Sequence, residues 1–141
     1  MLRKRFSLLL VVAMLLVFGS ACSSGEPAVK LDDVVAKLKE AGLEAENVKD
    51  LAADDMGIAP MKFEEGKRIV VPSLGEDVGG RLFVFKKKAD MEELKSYYDE
   101  LGKTSAMFFS HTHAKGNVLI QMSGDMEASE FDKYKEVIDS L

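Results

Sequence analysis

Two histidines, His111 and His113, are the residues whose type and spacing best suit chemistry, because imidazole nitrogens bind zinc. Residues two apart on a strand point to the same face, so both could approach one ion. A zinc site needs three or four ligands, and no third ligand can be named from the sequence. A two-residue turn after this strand would place both histidines on the helix-covered side of a sheet, and a three-residue turn would reverse that assignment. We therefore expect hydrogen-bonded histidines at the edge of the core, with no metal and no other cofactor.

Other patterns that could support catalysis are incomplete. Ser73 lacks the flanking glycines of a nucleophile elbow. The glycine-rich stretch 72–80 contains two acidic residues and leads into a strand, whereas a phosphate-binding loop needs a helix start and a cation. No catalytic residue is predicted, and these patterns favour binding over catalysis.

The first 22 residues form a distinct segment that ends at Cys22, the only cysteine of the chain. Three basic residues, Arg3, Lys4 and Arg5, precede an uninterrupted apolar run from Leu8 to Phe18, and small residues follow. This order is typical of a secretory signal. The apolar run is shorter than the roughly 20 residues that span a bilayer. The segment therefore predicts that the protein works outside the cytoplasm.

Ser20, Ala21 and Cys22 resemble the lipobox of bacterial lipoproteins, with Gly19 where the family usually has Leu, Val or Ile. The resemblance covers the signal alone. It implies that residues 1–21 are a cleaved signal peptide and that Cys22, joined to diacylglycerol with acyl chains such as palmitate, begins the mature chain. The protein would then be lipid-anchored in the cell membrane or the outer membrane. The alternatives are an ordinary cleaved signal followed by a chance cysteine, and an uncleaved membrane anchor.

The charge of the mature chain limits its partners. Removing residues 1–21 takes away three of the 19 basic residues and none of the 24 acidic ones, which leaves a formal net charge of −8. A strongly acidic chain is a poor partner for nucleic acid or for anionic lipid head groups, because phosphate binding needs a cationic surface. Residues 22–27 are expected to be a flexible tether. Residues 28–141 suffice for a single domain held together by packing without disulfides.

Hydrophobic periodicity predicts an α+β fold for this domain. An N-terminal helix over about 31–41 should precede two strand-strand-helix units that resemble each other at an offset of 35 residues. We expect these units to form a four-stranded antiparallel sheet with helices on at least one face. The predicted strands of this sheet are 68–71, 82–85, 106–113 and 118–122, and residues 43–48 are a further candidate for a short strand outside it. The internal similarity would place Phe83 and Phe85 on the same face as Val118 and Ile120.

One face of the predicted sheet mixes apolar and polar side chains. We expect Leu82 and Val84 on this face, and its candidate binding residues are Phe108, Ser110, Thr112, Leu119 and Gln121. Such a mixture is typical of a surface that meets a small ligand, a partner protein or a second copy of the chain as a homodimer. The alternative is that the first helix or the long loop after it covers this face.

These observations favour a lipid-anchored cell-envelope protein with a non-enzymatic domain that binds an envelope ligand or partner. The membrane is the expected partner of the lipid on Cys22, and nucleic acid is not expected. One alternative is a small envelope hydrolase or metal-dependent enzyme. Another is a structural or stress-related envelope protein.

Overall fold

The computed structural model describes residues 28–141. The predicted signal peptide, Cys22 and the predicted tether lie outside the described residues. Within 28–141, no helix is both long and apolar enough to cross a bilayer. Two short 3-10 turns span Pro72–Leu74 and Ala106–Phe108. The helices and strands are α1 (Leu31–Glu40), β1 (Glu46–Asp50), α2 (Ala53–Met56), β2 (Glu65–Val70), β3 (Gly79–Val84), α3 (Lys88–Thr104), β4 (Ser110–Lys115), β5 (Val118–Ser123) and α4 (Ala128–Asp139).

The strands form one antiparallel sheet in the order β1-β2-β3-β5-β4, flanked by helices. A mixed fold with an antiparallel sheet is confirmed, but the predicted number of four strands is wrong, because β1 adds a fifth. Only one of the five residues of β1, Val48, is apolar, and the strand lies at the exposed edge of the sheet. An edge strand can be held by backbone hydrogen bonds without the apolar alternation that would reveal it in a sequence.

Helices α1 and α4 cover one face of the sheet, which we call the closed face. The apolar residues of α1, Leu31, Val34, Val35 and Leu38, fall on one helical stripe and are all buried. They pack with α4 against strand residues such as Leu82 and Ile120, which are fully buried. Burying a side chain of this size stabilises the fold by roughly 1.5–3 kcal/mol. This face is a continuous apolar core.

Helix α3 covers the opposite face, which we call the α3 face. Phe83, Phe85 and Leu119 are buried there beneath α3, and Phe63 stacks beside Phe83 with ring centroids 5.2 Å apart. The prediction that Phe83 and Phe85 share a face with Val118 is therefore wrong: Phe83 pairs with Leu119, while Leu82 pairs with Ile120. Strand β3 is buried on both faces, so its sequence has no alternation that fixes which side chains point where.

The β4–β5 hairpin has a two-residue turn, which decides between the two alternatives considered for this loop. Lys115 pairs with Val118 across Gly116 and Asn117, and Gly116 has a φ of 58°, which favours glycine. His111 and His113 consequently point to the closed face, as this turn predicted. The strand starts later than expected, because Ala106–Phe108 forms a 3-10 turn in which Ser105 Oγ accepts the Met107 N–H at 3.3 Å.

Candidate functional site

A lateral row of polar residues crosses the α3 face from one strand to the next. The register pairs Arg68 of β2 with Arg81 of β3, Arg81 with Gln121 of β5, and Gln121 with Thr112 of β4. The neighbouring row on the same face contains Phe83, Leu119 and Ala114 and is apolar or small. A polar row beside an apolar one marks the line at which the core of this face ends.

Hydrogen bonds hold each member of the polar row. Arg81 donates from Nη1 to Gln121 Oε1 at 3.0 Å and from Nη2 to the Asp55 carbonyl at 3.1 Å, which ties α2 to the sheet. At the other end, Thr112 Oγ1 donates to Asp99 of α3. Helix α3 is thereby fixed over the sheet through its own polar residues as well as through the core.

Beyond this row the α3 face opens into a cleft of about 420 Å³. The next residues on this face are Gly79, Ser110 and Ser123, and their side chains are too small to fill the space below the end of α3. A Cβ at Gly79 would lie 2.0 Å from the Ile69 carbonyl oxygen, so this position cannot take a side chain without a shift. The cleft is lined by Arg68, Asp77, Val78, Gly79, Gly80, Arg81, Tyr98, Leu101, Met107, Phe108, Phe109, Ser110, Gln121, Ser123, Gly124 and Asp125.

The outer wall of the cleft is the segment Ala106–Phe109, which we call the apolar turn. Met107, Phe108 and Phe109 are consecutive and have exposed fractions of 84%, 57% and 47%. Phe109 is seated by two glycines, since a Cβ at Gly124 would lie 2.4 Å from its carbonyl oxygen and one at Gly102 would lie 3.2 Å from its ring. Adjacent exposed apolar side chains at the mouth of a cleft are typical of a surface that meets another molecule.

The two arginines of the cleft differ in how their charge is compensated. Arg68 donates to the Asp77 carbonyl at 2.6 Å and lies 3.9 Å from the Asp77 carboxylate. Arg81 has neutral partners only, and no carboxylate within the described residues forms an ion pair with it. Burial raises the pKa of the neighbouring Tyr98 hydroxyl, and the positive charge of Arg81 partly opposes that shift. Arg81 is therefore the uncompensated cation of the cleft.

Two buried polar atoms in the cleft lining have no hydrogen-bond partner within residues 28–141. They are Arg81 Nε and Ser110 Oγ, and Ser110 is only 8% exposed. A buried polar group without a partner costs about 1–3 kcal/mol. The Arg81 Nε–H and the Ser110 hydroxyl are both hydrogen-bond donors, so the missing partner of each can be an acceptor such as an anion that enters the cleft and displaces the side chains over them.

The five predicted binding residues have different surroundings. Leu119 is fully buried beneath α3, and Thr112 is bonded to α3, so the middle of the face is covered rather than open. Ser110, Gln121 and Phe108 line the cleft, with Phe108 on the apolar turn instead of a strand. Leu82 and Val84 belong to the closed face, which corrects the predicted register. Binding by any of these residues remains a prediction.

Both histidines lie on the closed face, away from the cleft. His111 Nε2 donates to the Met126 carbonyl at 2.7 Å, and its ring stacks on Phe131 with a centroid distance of 4.9 Å. His113 Nε2 donates to Asp139 Oδ1 at 2.7 Å. No group of three or more His, Cys, Asp and Glu residues in the described part of the chain could hold a metal ion. Ser73 Oγ hydrogen-bonds to Glu44 on the surface.

Sequence reasoning missed Arg81 and Tyr98 as parts of the site, and of the apolar turn it named only Phe108. The sequence does mark Arg81, because this charged residue stands alone between a pair of glycines and the apolar run 82–85. Its pairing with Gln121, however, depends on a register that the sequence does not specify. The apolar turn looks like the start of a strand in the sequence, so its exposure could not be predicted.

No family model, no curated protein and no solved structure matches this chain.

Proposed function

We propose that this chain is a lipid-anchored protein of the cell envelope whose domain binds, without catalysis, a molecule that carries an anionic group and an apolar portion. The supporting observation is the cleft, in which the uncompensated Arg81 and the unpartnered Ser110 hydroxyl lie beside the exposed apolar turn. A carboxylate in the cleft would accept hydrogen bonds from both residues. The apolar portion would contact Tyr98, Leu101 and Phe108.

The chemistry of the cleft favours binding over hydrolysis. The two histidines, which are the ordinary general bases at neutral pH, are bonded on the opposite face of the sheet. The side chains that converge on the cleft are two arginines, a tyrosine, an amide and hydroxyls, which recognise anions and orient them. On the α3 face, a second copy of the chain would have to approach through the apolar turn, because α3 covers the middle of this face.

Calorimetry with a matched pair of probes tests the binding proposal. Hydrocinnamate and its amide have the same apolar part, but only the former is an anion. A charge-assisted hydrogen bond contributes about 1.5–3 kcal/mol, so we expect the carboxylate to bind roughly tenfold to a hundredfold more tightly. Arg81→Met should abolish that preference, whereas Lys133→Met on the outer surface of α4 should leave it unchanged. Equal affinity for the two probes, or no binding of either, would contradict the proposal.

The anchor is tested separately at Cys22. In cells that make the Cys22→Ala chain, the protein should change its electrophoretic mobility and should be extracted from the membrane by high salt, because no lipid can be attached. A mutant chain that stays on the membrane in high salt with the mobility of the wild type would show that Cys22 carries no lipid.

A further inference from the structure

A second concave region lies at the other end of the sheet and differs from the cleft in charge. We call it the lysine groove: it has a volume of about 620 Å³ and is lined by Lys86, Lys88, Lys95 and Lys115, by one acidic residue, Glu92, and by Met91, Ala114, Gly116 and Asn117. Lys87 adjoins it in the sequence. Five of the 16 basic residues that follow the predicted signal peptide are thus gathered at this end of a chain with a net charge of −8.

The charges of the lysine groove are only partly compensated. Lys95 forms a close ion pair with Asp99 at 2.7 Å, whereas Lys86 lies 3.7 Å from Glu64 and Lys88 lies 3.8 Å from Glu92. Lys86 and Lys88 are each 76% exposed. Lys87 and Lys115 form no ion pair with any residue in 28–141. Lys87 and Lys88 also begin α3, where the helix dipole is positive and a cation is unfavourable. An external anion at this position would relieve that repulsion.

The described chain begins at the same end of the sheet. The Leu31 N–H, at the start of α1, donates to Glu65 Oε2 at 3.3 Å. Glu65 belongs to the lateral row Glu65–Val84–Val118–Lys115, so three strand spacings, roughly 14 Å, separate it from Lys115. Residues 22–30 can span at most roughly 30 Å when extended. An anchor on Cys22 would therefore allow this end of the domain to reach the bilayer.

We propose that the lysine groove and the adjoining Lys87 dock on the anionic phospholipid head groups of the membrane that holds the anchor. Phosphate groups are the anions that the exposed ammonium groups would meet there. The net acidity of the chain argues against a general attraction to such a surface, but the attraction acts within a Debye length of about 10 Å and therefore depends on local charge.

Docking at this end would orient the domain. Strands β3, β4 and β5 each have one end at the lysine groove and the other end at the cleft. Each strand has six residues, so the two regions lie roughly 20 Å apart. The cleft and the apolar turn would then face away from the bilayer, where a molecule in solution or a partner protein can reach them. The choice of membrane rests on the anchor of the proposed function, whereas the affinity of the groove for anionic lipid and the orientation that it gives do not require the anchor.

Vesicle sedimentation with the mature Cys22→Ala chain tests the groove without the lipid. We expect binding to vesicles that contain phosphatidylglycerol, little binding to pure phosphatidylcholine, and a steep loss with added salt. Each lysine near the surface contributes about fivefold in affinity. Lys86→Gln with Lys115→Gln should therefore weaken binding roughly 25-fold, whereas Lys39→Gln with Lys103→Gln, two exposed lysines at the opposite end, should have little effect. Equal binding to both vesicle types, or equal effects of the two double variants, would overturn the inference.

A second measurement tests the orientation and needs no loss of charge. Since Cys22 is the only cysteine, its replacement allows one fluorophore to be attached at a new site. Ala89→Cys places the label in the first turn of α3 beside the groove, and Ala106→Cys places it on the apolar turn; both alanines are exposed. On anionic vesicles with a nitroxide-labelled head group, we expect strong quenching at position 89 and weak quenching at position 106. The reverse order would show that the cleft end faces the lipid, and the inference would be wrong.

Discussion

The closed face and the α3 face are two sides of one sheet, yet they are completed in different ways. On the closed face, two helices bury a continuous set of apolar side chains, and the polar groups at its edge, such as His111 and Tyr134, are hydrogen-bonded. On the α3 face, a single long helix buries one apolar row. The polar row forms the border of this core, and the cleft lies open beyond it. The first face supplies stability, and the second retains unsatisfied donors at a cost in stability.

The largest expected difference between the faces concerns stability. Leu82 is fully buried on the closed face, so Leu82→Ala should lower the free energy of unfolding by about 2–5 kcal/mol through lost burial and a residual cavity. Urea unfolding followed by circular dichroism measures this change. A loss below about 1 kcal/mol would indicate that the closed face is not the principal core.

A smaller effect is expected at Tyr134, whose hydroxyl donates to the Glu44 carbonyl at 2.7 Å. Tyr134→Phe removes that bond and should cost about 0.5–1.5 kcal/mol at neutral pH. Burial raises the pKa of Tyr134 to about 12 from an ordinary value of 10.0, so its stabilising contribution is complete below pH 10 and is lost as the pH rises toward 12.

The alkaline limb of the stability profile separates the two roles of Tyr134. Between about pH 10 and pH 12, the wild type should lose more stability than Tyr134→Phe, because the variant has no phenol to ionise at this position. Parallel profiles for the two proteins would contradict the assignment of a buried, bonded phenol.

On the α3 face, removing a buried hydroxyl should have the opposite effect on stability from Tyr134→Phe. Ser110→Ala removes a buried hydroxyl that has no partner in the described chain, so it should leave stability unchanged or raise it by up to about 1 kcal/mol. The same variant should weaken hydrocinnamate binding. A clear destabilisation by Ser110→Ala would mean that the hydroxyl is bonded and that the contrast between the faces is overstated.

The smallest expected effect lies at the rim of the closed face. The hydrogen bond from His113 lowers the pKa of the exposed Asp139 carboxyl below its ordinary value of 3.8. The stabilising contribution of Asp139 is therefore present above about pH 4 and lost as the pH falls through its folded-state pKa. Asp139→Asn should lower the melting temperature slightly at neutral pH and not at all in strong acid. An equal difference at both pH values would contradict this linkage.

The parts of the fold that the sequence predicted are those marked by a pattern of residues within one short stretch of the chain. The apolar stripe of α1 follows from local spacing, and so does the shared face of His111, His113 and Ile120 once the turn has two residues. Strand β1 carries only a weak signal at residues 43–48, because it is an irregular edge strand with one apolar residue and with Asn47 at a φ of 45°.

The site was less predictable, because it depends on pairings between distant strands. Ser110 and Gln121 were found through the alternation along their own hairpin, and both line the cleft. Arg81 joins them only through the β3–β5 register, and β3 is apolar on both faces. Phe108 was assigned to a strand, but the bond from the Met107 N–H to Ser105 Oγ turns the chain before β4 begins.

Amide chemical-shift mapping of the ¹⁵N-labelled chain during titration with hydrocinnamate tests the central claim most directly. We predict that the shifts concentrate at the cleft, in the amides of Gly79, Gly80, Ser110 and Gly124 and along the apolar turn, and that they disappear in Arg81→Met. Shifts centred on α1 and α4, or on the Lys115 hairpin, would contradict the account.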